Sequence, residues 1–192
     1  MPVSAPKRGH LAAATAAVAN QFVTSTNMVN GAYTVANGGA MPGEGARQVT
    51  VTHTANTGND TLGTITVAGT SLSGDAISEA ITPTAGGTAT GAKWFATVTS
   101  VTGAGWAASG GNDTVTVGCG ARVVVAEGAG VLDRVVVGTT AAGAVTLKDS
   151  AGTIAVLKSS VAEGSYAFGC GFSGYLELVL AAASDVTAVF RQ

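Results

Sequence analysis

The chain has 192 residues, enough for one large or two small domains, and carries 9 Lys and Arg against 11 Asp and Glu for a net charge of −2. Charged residues make up only 10% of it, and 28 glycines sit among abundant Ala, Thr and Val; an average globular chain is roughly 25% charged. That balance gives no electrostatic footing for nucleic acid and little material for long amphipathic helices, and no apolar run reaches the roughly eighteen residues of a membrane helix. Thr and Val suit a pleated, half-buried surface and Gly supplies turns, so the composition predicts an all-β fold. So few charges protect poorly against association, which predicts an assembly subunit covered by neighbours.

Residues 1–46 differ from the rest. Lys7 and Arg8 lead into the Ala-rich stretch Leu11–Ala19. A basic start and the Ala-Val-Ala at 17–19 imitate a secretory leader, but the apolar run is short and weak. The reading is an extended N-terminal arm with one short helix at Leu11–Ala19. Leu11, Val18, Phe22, Val23 and Met28 are its expected anchors on neighbouring subunits.

Residues 47–120 read as an immunoglobulin-like β-sandwich. Val49 and Val51 alternate with Thr50 and Thr52, and Ile65 and Val67 with Thr64 and Thr66. Ile77, Glu79 and Ile81 share one face, and the runs Phe95–Val101 and Val115–Val117 follow. Gly-Asn-Asp-Thr occurs twice, at 58–61 and 111–114, each time as a turn feeding a strand. The Asn-Asp-Thr triplets at Asn59 and Asn112 match a glycosylation sequon, but the turn accounts for them.

Residues 121–192 predict a small jelly-roll-like β domain. Arg122–Ala126 opens it. Leu132–Val137, Ala144–Lys148, Thr153–Leu157, Tyr166–Phe168, Tyr175–Leu180 and Val186–Phe190 are then cut apart by Gly, Asp-Ser or Ala-Ala-Ser turns.

Residues able to carry chemistry are scarce. His10 lies in the arm, and His53, between Thr52 and Thr54, reads as a solvent-facing strand residue. No Gly-x-Ser-x-Gly elbow accompanies either. The carboxylates are scattered, and the Gly-rich pieces lack the following helix of a phosphate cradle. Trp94 and Trp106 read as core or interface anchors. Cys119 and Cys170 each sit between glycines, Gly118–Gly120 and Gly169–Gly171. They are either two small buried thiols or a candidate thiol pair close enough for a disulfide. No enzyme, cofactor or metal site is expected.

Thr64–Gly69, Ile77–Ile81, Lys93–Val101 and Val115–Gly118 together resemble β-sandwich modules of tailed-bacteriophage virion proteins. Leu132–Leu147, Ser160–Phe168 and Asp185–Phe190 resemble a second phage module, similar to those of head decoration (cement) proteins. Trp94 departs from the pattern, which usually has a smaller residue there. The resemblance implies no catalytic residues. It implies a virion protein, made in the host cytoplasm and bound to the major capsid protein on the outer head surface. Self-association is expected as well, a trimer suiting three-fold positions, with neither nucleic acid nor membrane as partner. The alternatives are a tail, collar or neck component and, from another class, a surface-exposed glycan-binding or adhesin-like module.

Overall fold

A computed structural model of the chain describes residues 5–56, 60–139 and 142–192. These form sixteen strands and one 3-10 turn, Asn37–Gly39. The strands follow the Thr/Val patterning closely. In β5 (Thr64–Thr70) Ile65, Val67 and Gly69 turn inward while the threonines stay half-exposed, and β12 (Val145–Asp149) and β16 (Asp185–Arg191) alternate in the same way. A period of two with one apolar face is what a sandwich strand requires.

The strands fall into two compact units. One comprises Ala17–Pro42 and Ala46–Ala121; the other joins Met1–Ala16, Gly43–Gly45 and Arg122–Gln192. The first, here the inserted roll, contains β2 (Val18–Asn27), β3 (Gly31–Ala32), β4 (Arg47–Thr54), β5, β6 (Ala76–Ile81), β7 (Thr88–Phe95), β8 (Thr97–Ala104) and β9 (Thr114–Cys119). The second, here the terminal roll, contains β1 (Lys7–Leu11), β10 (Val124–Glu127), β11 (Gly130–Thr139), β12, β13 (Gly152–Leu157), β14 (Gly164–Phe172), β15 (Tyr175–Leu180) and β16.

Both units have one topology. The inserted roll has sheets β2-β9-β4-β7 and β3-β8-β5-β6; the terminal roll has β1-β16-β11-β14 and β10-β15-β12-β13. Numbered within its own unit, each reads first-eighth-third-sixth over second-seventh-fourth-fifth, with every pairing antiparallel. That is the strand order of an eight-stranded jelly roll. The chain thus lays down the first strand of one jelly roll, completes a second one, and then returns to finish the first.

Each unit buries its own core. Phe22, Val49, Val51, Ile65, Val67 and Phe95 fill the inserted roll; Leu132, Val135, Leu147, Leu176, Leu178 and Phe190 fill the terminal roll, where Phe172 and Phe190 meet edge to face.

The all-β expectation holds, and two of its finer features change. The sandwich at 47–120 has jelly-roll rather than immunoglobulin-like order, and it needs β2 and β3 from upstream. The described part of residues 1–46 is not a free arm. β1 pairs with β16 from Lys7↔Phe190 to Leu11↔Val186, and β2 pairs with β9. The helix expected at Leu11–Ala19 is absent; the end of β1, a non-helical link and the start of β2 take its place. An isolated Ala-rich helix this short is marginal, whereas strand pairing satisfies the backbone and buries Leu11.

Candidate functional site

The five expected anchors lie inside the chain's own cores. Leu11 is buried in the terminal roll, Phe22, Val23 and Met28 are buried in the inserted roll, and Val18 packs half-buried against the latter. They hold the strands they sit on rather than a neighbouring subunit.

The two cysteines are both free. Cys119, in β9, is buried in the inserted roll, and Cys170, in β14, is half-exposed in the terminal roll. The disulfide reading therefore gives way to two separate thiols. Burial pushes the Cys119 thiol up, partly offset by the Arg47 guanidinium. Burial in turn lowers Arg47, and Cys119 opposes that shift. Arg47 is itself buried and donates from Nη1 to the Gly120 carbonyl (3.3 Å) and from Nη2 to the Pro42 carbonyl (3.0 Å). Close backbone approach is real at Gly118, where a Cβ would stand 2.0 Å from the Val18 carbonyl oxygen across the β2–β9 pairing. At Gly171 the nearest atom to such a Cβ is 3.9 Å away.

His53 is buried, not solvent-facing. It continues the inward face of Val49 and Val51 on β4, and Asp113 likewise precedes inward-facing Val115 and Val117. His53 Nδ1 accepts the Gly86 N–H (2.9 Å), so Nε2 carries the proton and donates to Asp113 Oδ2 (2.6 Å). Asp113 Oδ1 accepts the Asn56 N–H (2.7 Å), and both side chains are 1% exposed. Gly86 reaches this position in a left-handed turn (φ 59°) that favours glycine. Both imidazole nitrogens are thus engaged, and the pair rivets the β6–β7 and β8–β9 turns to the end of β4. Strand alternation from Val49 and Val115 was the available signal for both residues. Asn112 precedes this turn; Asn59, its counterpart, lies outside the described residues.

Other charges are also held internally. Arg122 donates to buried Glu177 from Nε (3.1 Å) and Nη2 (2.6 Å), and to the Tyr175 hydroxyl (2.8 Å), which together raise the Arg122 pKa. Arg191 forks onto Asp133 (2.6 and 2.9 Å), holding that carboxyl below its usual range. The Asp149 carboxylate accepts from the backbone N–H of Ser173, Ala151 and Gly152, which lowers its pKa in the same direction. His10 Nε2 lies 2.8 Å from Asp185, tying β1 to β16. Glu79 spans from β6 to the backbone of β7. Four of these charged residues, Arg47, Asp113, Asp149 and Glu177, are buried; His10, Asp185, Arg122, Arg191 and Asp133 lie at or near the surface within internal pairs.

A groove of about 350 Å³ in the inserted roll is lined by Thr24, Thr26, Asn27, Val29 and Tyr33 among others. The Tyr33 ring is buried, its hydroxyl accepts the Val29 N–H (3.0 Å), and it therefore offers no open aromatic face for stacking. Trp106 packs half-buried against the inserted core, as expected for an anchor, and Asn30 brackets its backbone by donating to the Trp106 carbonyl and accepting its N–H (both 2.8 Å). Trp94 is half-buried near the end of β7.

Among the described residues no three His, Cys, Asp or Glu side chains converge to hold a metal ion, and no helix is long and apolar enough to cross a membrane. Comparison with models of known protein families, with curated proteins and with solved structures finds no match to this chain.

Proposed function

We propose that the chain is a structural virion protein of a tailed phage, a decoration or cement subunit that binds the outer face of the head and stabilises the shell. The observation that carries this reading is the presence of two units of one jelly-roll topology in a chain of which only 10% is charged. Jelly rolls serve viral capsids, lectins and cupins alike, so the fold by itself assigns no activity. The charge economy favours the first of these. Thr- and Ala-rich β surface loses little on desolvation against a protein lattice. Repeated contacts of roughly 800 Å² per partner give ordinary interface stability. With Phe22, Phe95, Leu132 and Leu176 enclosed in filled cores, binding in this reading falls to the outer surfaces and strand edges.

The partners in this reading are the major capsid protein and further copies of the chain. Electron cryo-microscopy of particles from producing cells tests it. The expected result is density for two jelly rolls on the outer head surface, in a copy number that follows the capsid lattice. A single ring of copies at neck or tail would place the chain there instead. Absence from particles together with binding on a glycan array would overturn the virion reading.

A further inference from the structure

The two rolls share one topology but treat the same pair of edge strands differently. In the inserted roll the fifth and sixth strands, β6 and β7, are tied across their open side. Glu79 accepts the N–H groups of Ala92 (2.6 Å) and Lys93 (3.1 Å), and Lys93 Nζ donates to the Ser78 carbonyl (2.8 Å). A carboxylate thus occupies the backbone donors that an edge offers.

The corresponding edges of the terminal roll, β13 and β14, carry no charged residue anywhere along them. Val156 is 55% exposed, the most of any large apolar side chain described. Behind it Ile154, Leu157, Tyr166, Phe168 and Cys170 are only partly covered by the core they pack against.

We infer that β13 and β14 form a two-fold interface with a second copy of this chain, β13 of each pairing antiparallel with β14 of the other. The parity of the register follows from which side chains face inward. Leu157 and Ala155 face in, opposite buried Val145 and Leu147. Gly164 and Tyr166 also face in, opposite buried Val137 and Val135. Continuous sheets require inward residues to meet inward residues. Setting Leu157 opposite Gly164 of the second copy then sets Ala155 opposite Tyr166, a small residue beside a large one each time, and Val156 opposite Ser165 on the outer face.

One step further along, the same register brings Lys158 opposite Glu163. Both are exposed, and neither forms an ion pair within the described chain. Side-chain alternation allows this alignment and those two residues to either side, and charge complementarity selects it among them. Bulges at Ile154 and at Phe168–Gly169 end the matched segment on the other side. A two-fold axis parallel to the strands repeats the pairing and closes the assembly as an isologous dimer. This inference rests on no part of the virion reading, so failure of either leaves the other standing.

Sedimentation velocity on the full chain at low salt, over a concentration series, tests it. The wild type is expected to dimerise. K158E and E163K each place like charges opposite one another at two symmetric positions and should raise the dimer dissociation constant about ten-fold or more. The double swap K158E/E163K should restore wild-type affinity, with far-UV circular dichroism confirming that all three variants fold. A wild type that stays monomeric at its solubility limit overturns the inference. So does a trimer, a pair of single reversals without effect, or a swap that fails to rescue.

Discussion

Replacing Phe22 by Ala separates an arm that grips neighbours from a strand that belongs to the fold. Phe22 is 0% exposed within a single copy of the chain, so the whole ring leaves an apolar environment and a cavity remains. Such replacements cost about 3–5 kcal/mol, a large part of the roughly 5–15 kcal/mol that holds a typical domain together. The assay is specific because Trp94 and Trp106, the only two tryptophans in the chain, both lie in the inserted roll. Tryptophan fluorescence during urea unfolding therefore reports that unit alone. Leu11→Ala is the matched control. Leu11 is 4% exposed in the terminal core, so a loss of about 2–5 kcal/mol should be seen in that unit's hydrogen-exchange protection. A Phe22→Ala protein whose fluorescence midpoint stays within about 0.5 kcal/mol of wild type, the range of an innocuous surface change, would refute the strand assignment. It would also restore the extended arm.

Three further outcomes are expected. His53→Ala removes the imidazole donor to the buried Asp113 Oδ2 and should destabilise the inserted roll by about 3 kcal/mol; Asp113→Ala should cost a similar amount, and a double-mutant cycle by fluorescence-detected unfolding should show the two losses to be strongly non-additive. Asp149 has a folded pKa below its ordinary value of 3.8, so the native state binds fewer protons and its contribution is fully present above that value. That contribution is lost as pH falls through the lower folded value; the stability gap between wild type and Asp149→Asn should hold steady from neutral pH to about 5 and shrink below 4. Finally, β1 must find β16 across a separation of 175 residues, as between His10 and Asp185, so pulse-labelled exchange during refolding should protect the inserted roll before β1, β11 and β16.

The sequence made the inner strands legible and the outer ones obscure. β5, β12 and β16 announce themselves because nothing interrupts their alternation. β2 does not: its pairing with β9 shifts register between Val18 and Val23 and again between Val23 and Thr26. Phe22 and Val23 are consequently neighbours that are both buried, which no period of two predicts. β7 fails for a related reason. The register shift between Gln48 and Thr50 leaves Gly91, Ala92 and Lys93 unpaired with β4, and Glu79 holds the bulge by accepting two of its N–H groups. Glu79 was visible on the Ile77 and Ile81 face, but its partner could only be found once the two sheets were stacked. His53 and Asp113 are the opposite case. Alternation placed both on inward faces, and the expectation that imidazole prefers solvent prevailed over it.

The insertion of one roll's sequence within that of the other changes what a truncation can mean. Were residues 1–45 an arm, removing them would leave two folded domains and a weaker assembly. In the observed topology the same deletion takes β1 from one sheet and β2 and β3 from two others. It would expose the β16 and β9 edges and uncover Val186, Ala188, Val115 and Val117. Unpaired, charge-poor edges of this kind template aggregation, so loss of particle binding by such a fragment would report misfolding rather than a lost anchor. Point changes on exposed residues, such as Lys158 and Glu163, avoid that ambiguity because they alter association while leaving every strand of both rolls in place.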